Sequence, residues 1–162
     1  EKEQPSAILT KDRFRALADQ ILGMAFYFPD HLNYIIDHLS PDYLADEDTK
    51  KLYKRLIIYY TEKRDFNHYL FIDYIKKENK KLAHYADILF IKAEQNFADL
   101  EEELVSKEIS DNINQLKRNY IVNELKMLEE KIKESEREND KDKLNSYIEK
   151  FNNLTKELSQ LP

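Results

Sequence analysis

The chain contains no cysteine, no tryptophan and a single glycine. Without Cys it can form no disulfide, no thiolate zinc site and no Cys nucleophile. With Gly23 alone it has no Gly-rich loop to cradle a phosphate. Beyond Asn it also has almost none of the positive-φ residues that β-hairpin turns need. No apolar run is long enough to span a bilayer, and Glu1-Lys2-Glu3-Gln4-Pro5 does not open a signal peptide. A soluble cytoplasmic protein is the expectation. Basic charge is in deficit, with 26 Lys and Arg against 32 Asp and Glu, a net charge of −6. Nucleic-acid binders gain affinity by neutralising phosphates, so direct nucleic-acid contact is not expected. The runs Lys76-Lys77 and Lys80-Lys81 read as solvated helix ends.

What remains favours helices. Charged residues make up 36% and hydrophobic residues 41% of 162 positions. That length suits one domain or two small ones, and folding needs no metal. The pattern predicts an all-α chain: an N-terminal multi-helix bundle joined by a long helix to a C-terminal two-helix hairpin. The divisions expected are a tail or linker over 1–6, a bundle over 7–118 and a hairpin over 119–162.

In the bundle, Thr10 or Asp12 is positioned to cap a first helix carrying Phe14, Leu17, Ala18, Ile21, Leu22, Ala25 and Phe28. Gly23 inside it costs about 1 kcal/mol relative to Ala, which close approach of a neighbouring helix would offset. Pro29 ends that helix. Asp30 is expected to cap a short helix, Ser40-Pro41-Asp42 to restart the chain, Asp46 to cap a third helix and Asn67 a fourth. A fifth helix carries Leu82, Tyr85, Ala86, Leu89 and Phe90. Leu56-Ile57-Ile58-Tyr59-Tyr60 has strand propensity, but the helical period runs into it unbroken from Lys50.

The last third, from about Leu100, has no Gly and no Pro before the final residue. One stripe runs Leu104 or Val105, Ile109, Ile113, Leu116, Tyr120. A second runs Ile121, Leu125, Leu128, Ile132. The offset at Tyr120/Ile121 is either a change of buried face or the drift of a 3.6 period. Continuity of the long helix is open near Ser106–Asp111, where Ser110 and Asp111 are able to cap a fresh start. Asn139 and Asp140 suit a tight turn. The return helix carries two heptad stripes: Leu144, Phe151, Leu158, and Tyr147, Leu154, Leu161, with Ile148 beside the first. One stripe closes the hairpin, and the other is expected to be surplus and free for a partner.

No catalytic constellation emerges. His31, His38, His68 and His84 never fall at metal-binding helical spacing, and no strand-turn-helix elbow activates a Ser or Thr. No metal or cofactor is expected. Most of the 11 Tyr residues read as core-edge side chains, with Tyr34 or Tyr69 available to an interaction surface.

The N-terminal half has a recognisable pattern. Ala18-x-x-Ile21-Leu22-Gly23-Met24-Ala25-Phe26-x-Phe28-Pro29 is followed by a short apolar helix. Then come Leu39-Ser40-Pro41-Asp42-Tyr43-Leu44 and Asp46-x-x-Thr49-x-x-Leu52-Tyr53. This resembles the C-terminal helicase-binding domain of bacterial DnaG-type primases, and also the similarly folded N-terminal domain of the replicative helicase. Pro-Asp-His stands where the family has Pro-Glu, and Asn139 where its last turn commonly has Gly. The order of elements covers the whole chain, and an end soon after the return helix suits the primase.

The resemblance implies a fragment without catalytic activity, whose zinc and RNA-polymerase domains would lie upstream of residue 1. It would dock on the N-terminal ring of the hexameric DnaB-type helicase, coupling primer synthesis to the fork, and would be monomeric alone. The partner-binding residues it points to are Tyr147, Phe151, Leu154, Leu158 and Leu161, with Met127, Leu128 and Ile132 opposite. The rival readings are a helicase assembly domain, a coiled-coil homodimeric scaffold, and a helical enzyme or metal protein.

Overall fold

A computed structural model describes residues 10–162; the expected tail over 1–6 lies outside them. The described residues are all-α, with no strand. The helices are α1 (Lys11–Tyr27), α2 (Leu32–His38), α3 (Glu47–Lys63), α4 (His68–Lys76), α5 (Lys80–Phe97), α6 (Glu102–Glu138) and α7 (Lys141–Gln160). Two 3₁₀ turns, Pro29–His31 and Pro41–Tyr43, flank α2. The chain divides between Leu116 and Lys117 into two compact units, and α6 runs through that point.

Polar caps start the bundle helices. Thr10 Oγ1 accepts from Arg13 N–H, Asp46 Oδ2 from the N–H groups of Asp48 and Thr49, Asn67 from Leu70 N–H and Asn79 from Leu82 N–H. Each satisfies a donor that helix geometry leaves open. Asp30 is a correction. It sits inside the first 3₁₀ turn, and α2 starts at Leu32 with His31 at the N-cap position and no side-chain cap bond. The reason is Pro29, whose fixed φ suits a tight 3₁₀ turn running directly into the helix.

The core of the first unit lies where α1 meets α5. Ala18, Ile21, Leu22 and Ala25 are buried against Leu82, Ala86 and Leu89 and their neighbours. Gly23 lets the two backbones touch: a Cβ there would stand 2.6 Å from the Leu89 carbonyl oxygen. Phe26, Phe66, Phe71 and Tyr59 form an aromatic knot with centroids 5.3–6.2 Å apart. Tyr53 is fully buried, and its hydroxyl donates to the Leu39 carbonyl at 2.7 Å. That bond satisfies an orphan acceptor at the end of α2, and burial pushes the Tyr53 hydroxyl pKa well above the usual range.

Leu56 to Tyr60 lies inside α3, as the unbroken period requires. α6 is continuous for 37 residues, so Ser110 and Asp111 start no new helix. On its first half Val105, Ile109, Asn112, Ile113 and Leu116 are buried and Leu104 is exposed. On its second half Ile121, Leu128 and Ser135 are buried. At about 100° per residue these two sets lie on faces more than a quarter-turn apart. The offset at Tyr120/Ile121 is therefore a change of buried face.

Candidate interaction surface in the terminal hairpin

The turn between α6 and α7 is made by the chain's own chemistry. Asn139 adopts a left-handed φ of 54°, which Asn tolerates better than most residues. Asn139 N–H donates to the Glu136 carbonyl and Asp140 N–H to that of Ser135. These are the paired bonds that close helix ends around a left-handed residue. Asp140 then caps α7 by accepting from Lys143 N–H.

From that turn the second half of α6 and all of α7 run antiparallel within one unit. Lys117 Nζ reaches Glu157 Oε1 at 2.9 Å, and Arg118 donates to the Pro162 carbonyl at 2.7 Å, so the far end is tied. Nearer the turn, Lys131 Nζ stands 5.8 Å from the centroid of the Tyr147 ring, within cation–π range.

Burial sorts the residues singled out in the sequence. Leu144, Tyr147, Phe151, Leu154, Leu158 and Leu161 are all half-buried, and none is fully buried. Opposite them Leu128 is buried and Ile132 half-buried, together with Ile121, Leu125 and Ser135. Met127 stands off this line at 54% exposure, and Ile148 at 40%.

The expectation of a surplus stripe is corrected by this pattern. Spacings of 3, 4, 3, 4 and 3 from Leu144 to Leu161 are those of one coiled-coil seam. Its two stripes are the two sides of that seam and share one level of burial. The same 3-4 step from Ile121 through Leu125, Leu128 and Ile132 to Ser135 supplies the facing half. Reading the stripes jointly rather than one by one would have revealed this from sequence.

Among the described residues two helices form this seam, and its α7 side chains stay half-buried. Met127 falls on the edge that carries Lys117 and Lys131, and Ile148 on the other. Each edge is thus marked by one exposed apolar side chain.

The bundle carries exposed apolar residues of its own. Tyr69 and Leu70, at the start of α4, are 69% and 61% exposed. Tyr34 is partly open, stacked on His38 with its hydroxyl donating to Ser110 Oγ. The Tyr85 hydroxyl donates to the Asp19 carboxylate, and burial raises the pKa of both groups.

His68 is the one histidine placed in the core. Its side chain is 3% exposed, stacked on Phe90 at 4.0 Å, with Nε2 3.0 Å from Asp87 Oδ1. Its Nδ1 is buried without a hydrogen-bond partner. Desolvation lowers its pKa, against the pull of Asp87. The neutral ring, donating from Nε2, is therefore the native form.

A folded pKa below the unfolded value, about 6.5, means this contribution is complete above that value. It is lost as pH falls through the folded pKa. Stability should decline as pH falls below about 6.5, by up to about 1.4 kcal/mol per pH unit from this group. Urea unfolding midpoints at pH 7.0, 6.0 and 5.5 check this. The decline should vanish in His68→Phe, and its persistence there would assign it to another group.

Among the described residues no group of three or more His, Asp or Glu side chains is placed to hold a metal ion, and no helix is long and apolar enough to cross a membrane. No protein-family model, curated protein or solved structure matches this chain.

Proposed function

We propose that this chain is a protein-interaction domain that docks through its terminal hairpin on the N-terminal ring of a hexameric DnaB-type replicative helicase. In this reading it is the C-terminal domain of a bacterial DnaG-type primase. It works in the cytoplasm, takes part in no chemistry itself and couples primer synthesis to the moving fork. One observation carries it: α7 and its C-terminal cap Leu161 hold six apolar seam residues, yet not one is fully buried. A helical partner laid along an edge would cover them, the geometry by which amphipathic helices enter apolar grooves. The family resemblance of the N-terminal half supplies the identity of the partner.

The test uses residues outside the seam. Charge at Leu154 or Leu161 would open the hairpin itself, whereas Met127 and Ile148 flank it. Met127→Asp and Ile148→Asp together should weaken binding to the purified helicase ring more than tenfold by calorimetry, about 1.4 kcal/mol, with helical circular dichroism unchanged. Affinity within threefold of the parent would reject the hairpin as the docking surface. Sedimentation of the chain alone as a dimer or larger ring would favour the scaffold or helicase-assembly reading instead.

A further inference from the structure

The fold gathers positive charge that the sequence, read as a total, conceals. The stretches Lys50–Arg55 and Lys76–Lys81 hold eight cations and one carboxylate, in a chain of net charge −6. They are far apart in sequence. The structure brings them together around one groove of about 350 Å³, where Lys51, Lys54 and Arg55 of α3 face Glu78 and Asn79 of the α4–α5 connection. Arg55 bridges the two sides through an ion pair with Glu78 at 2.5 Å. It is the only one of the eight cations with an ion-pair partner among the described residues. Lys51, Lys54, Lys76, Lys77, Lys80 and Lys81 are all exposed. The groove also has apolar walls, made by Ile58, Ile75 and Leu82, and Ile58 is 44% exposed.

We propose that this groove binds single-stranded nucleic acid, with Lys51 and Lys54 on its wall and the exposed lysines next to Glu78 and Asn79 in the chain neutralising successive phosphates, and an unstacked base resting against Ile58. Unpaired lysines at this density repel one another in the free protein, and a polyanion relieves that repulsion while releasing counterions. The apolar wall discriminates between polyanions. A duplex hides its base faces in the stack, and a carboxylate-rich peptide has no flat π-surface to place there. Single strands expose bases, and apolar contact with them is sequence-tolerant. The inference departs from the expectation drawn from net charge. It is also independent of helicase docking, since the groove lies in α3–α5 and the proposed docking surface in the hairpin.

Fluorescence anisotropy of labelled 20-mers of dT and U tests it at 50 to 300 mM NaCl, with polyglutamate of equal length as competitor. Binding should weaken steeply with salt. The variant Lys51→Gln/Lys54→Gln/Lys80→Gln/Lys81→Gln should lose at least tenfold in affinity at 50 mM. Its log–log salt slope should be smaller by about 3, at roughly 0.7 per phosphate contact removed. A control with Lys126, Lys133 and Lys141 changed to Gln should stay within twofold, and helicase-ring binding by the groove variant should be unchanged. No binding by the parent at 50 mM NaCl would overturn the proposal. So would equal binding by the groove variant, or competition by polyglutamate as effective as by unlabelled dT.

Discussion

Replacing Gly23 with valine should destabilise the protein by about 4 kcal/mol. The position has no room for a Cβ: an added methyl would sit 2.6 Å from the Leu89 carbonyl oxygen and 3.2 Å from the Ala93 Cβ. The first obstacle is backbone, so no side-chain rotation relieves it, and α1 and α5 must separate. Their separation loosens the contact around Ala18, Ile21, Leu22, Ala86 and Leu89, all buried. Overpacking of this kind costs about 1–3 kcal/mol and sometimes more. Alanine regains about 1 kcal/mol of helix propensity at the same position, so Gly23→Ala should lose up to about 2 kcal/mol net. Gly23→Val adds two further methyl groups without that gain and should lose about 4 kcal/mol. Urea unfolding monitored at 222 nm measures both. A Gly23→Ala variant more stable than the parent would show that propensity, and not helix contact, governs this site.

The second large effect is expected at Leu128. It is 4% exposed and central to the α6 half of the seam. Leu128→Asp removes a buried side chain, worth about 2 kcal/mol or more, and puts a carboxylate into an apolar seam. No residue of α7 is fully buried, so the hairpin has little reserve to absorb that loss. Most of a helix's stability in a protein comes from packing its apolar face, so α7 should unfold once its seam is broken. Far-UV ellipticity should fall, and limited trypsin should cut within 117–162 while Leu9–Leu116, the other compact unit, stays protected. Met127→Asp, one residue away but 54% exposed, should change neither. If both variants behave alike, the seam is not what holds α7 in place.

The contrast between these neighbours shows what could be read from sequence. Helix starts were legible because caps are local: Asp46, Asn67 and Asp140 each bond an N–H two or three residues ahead. Asp30 misled because an acidic residue after a proline suits a 3₁₀ turn as well as a cap. Gly23 was legible as a close approach, though not which helix approached it. Leu128 and Met127 were grouped together as partner-binding residues. One turned out buried and the other exposed, since adjacent residues on a helix point about 100° apart.

The sequence by itself determined the all-α class, the long terminal hairpin with its turn at Asn139-Asp140, and the apolar spacing of its seam. Those follow from composition, capping chemistry and periodicity, all of which act within a few residues. Only the tertiary structure decided that α6 changes its buried face between Leu116 and Ile121, and that both stripes of α7 form one half-covered seam. Only it brought Lys51, Lys54 and Arg55 of α3 to Glu78 and Asn79 of the α4–α5 connection. Each of these depends on which helix lies beside which, and burial and charge density are properties of neighbours distant in the chain.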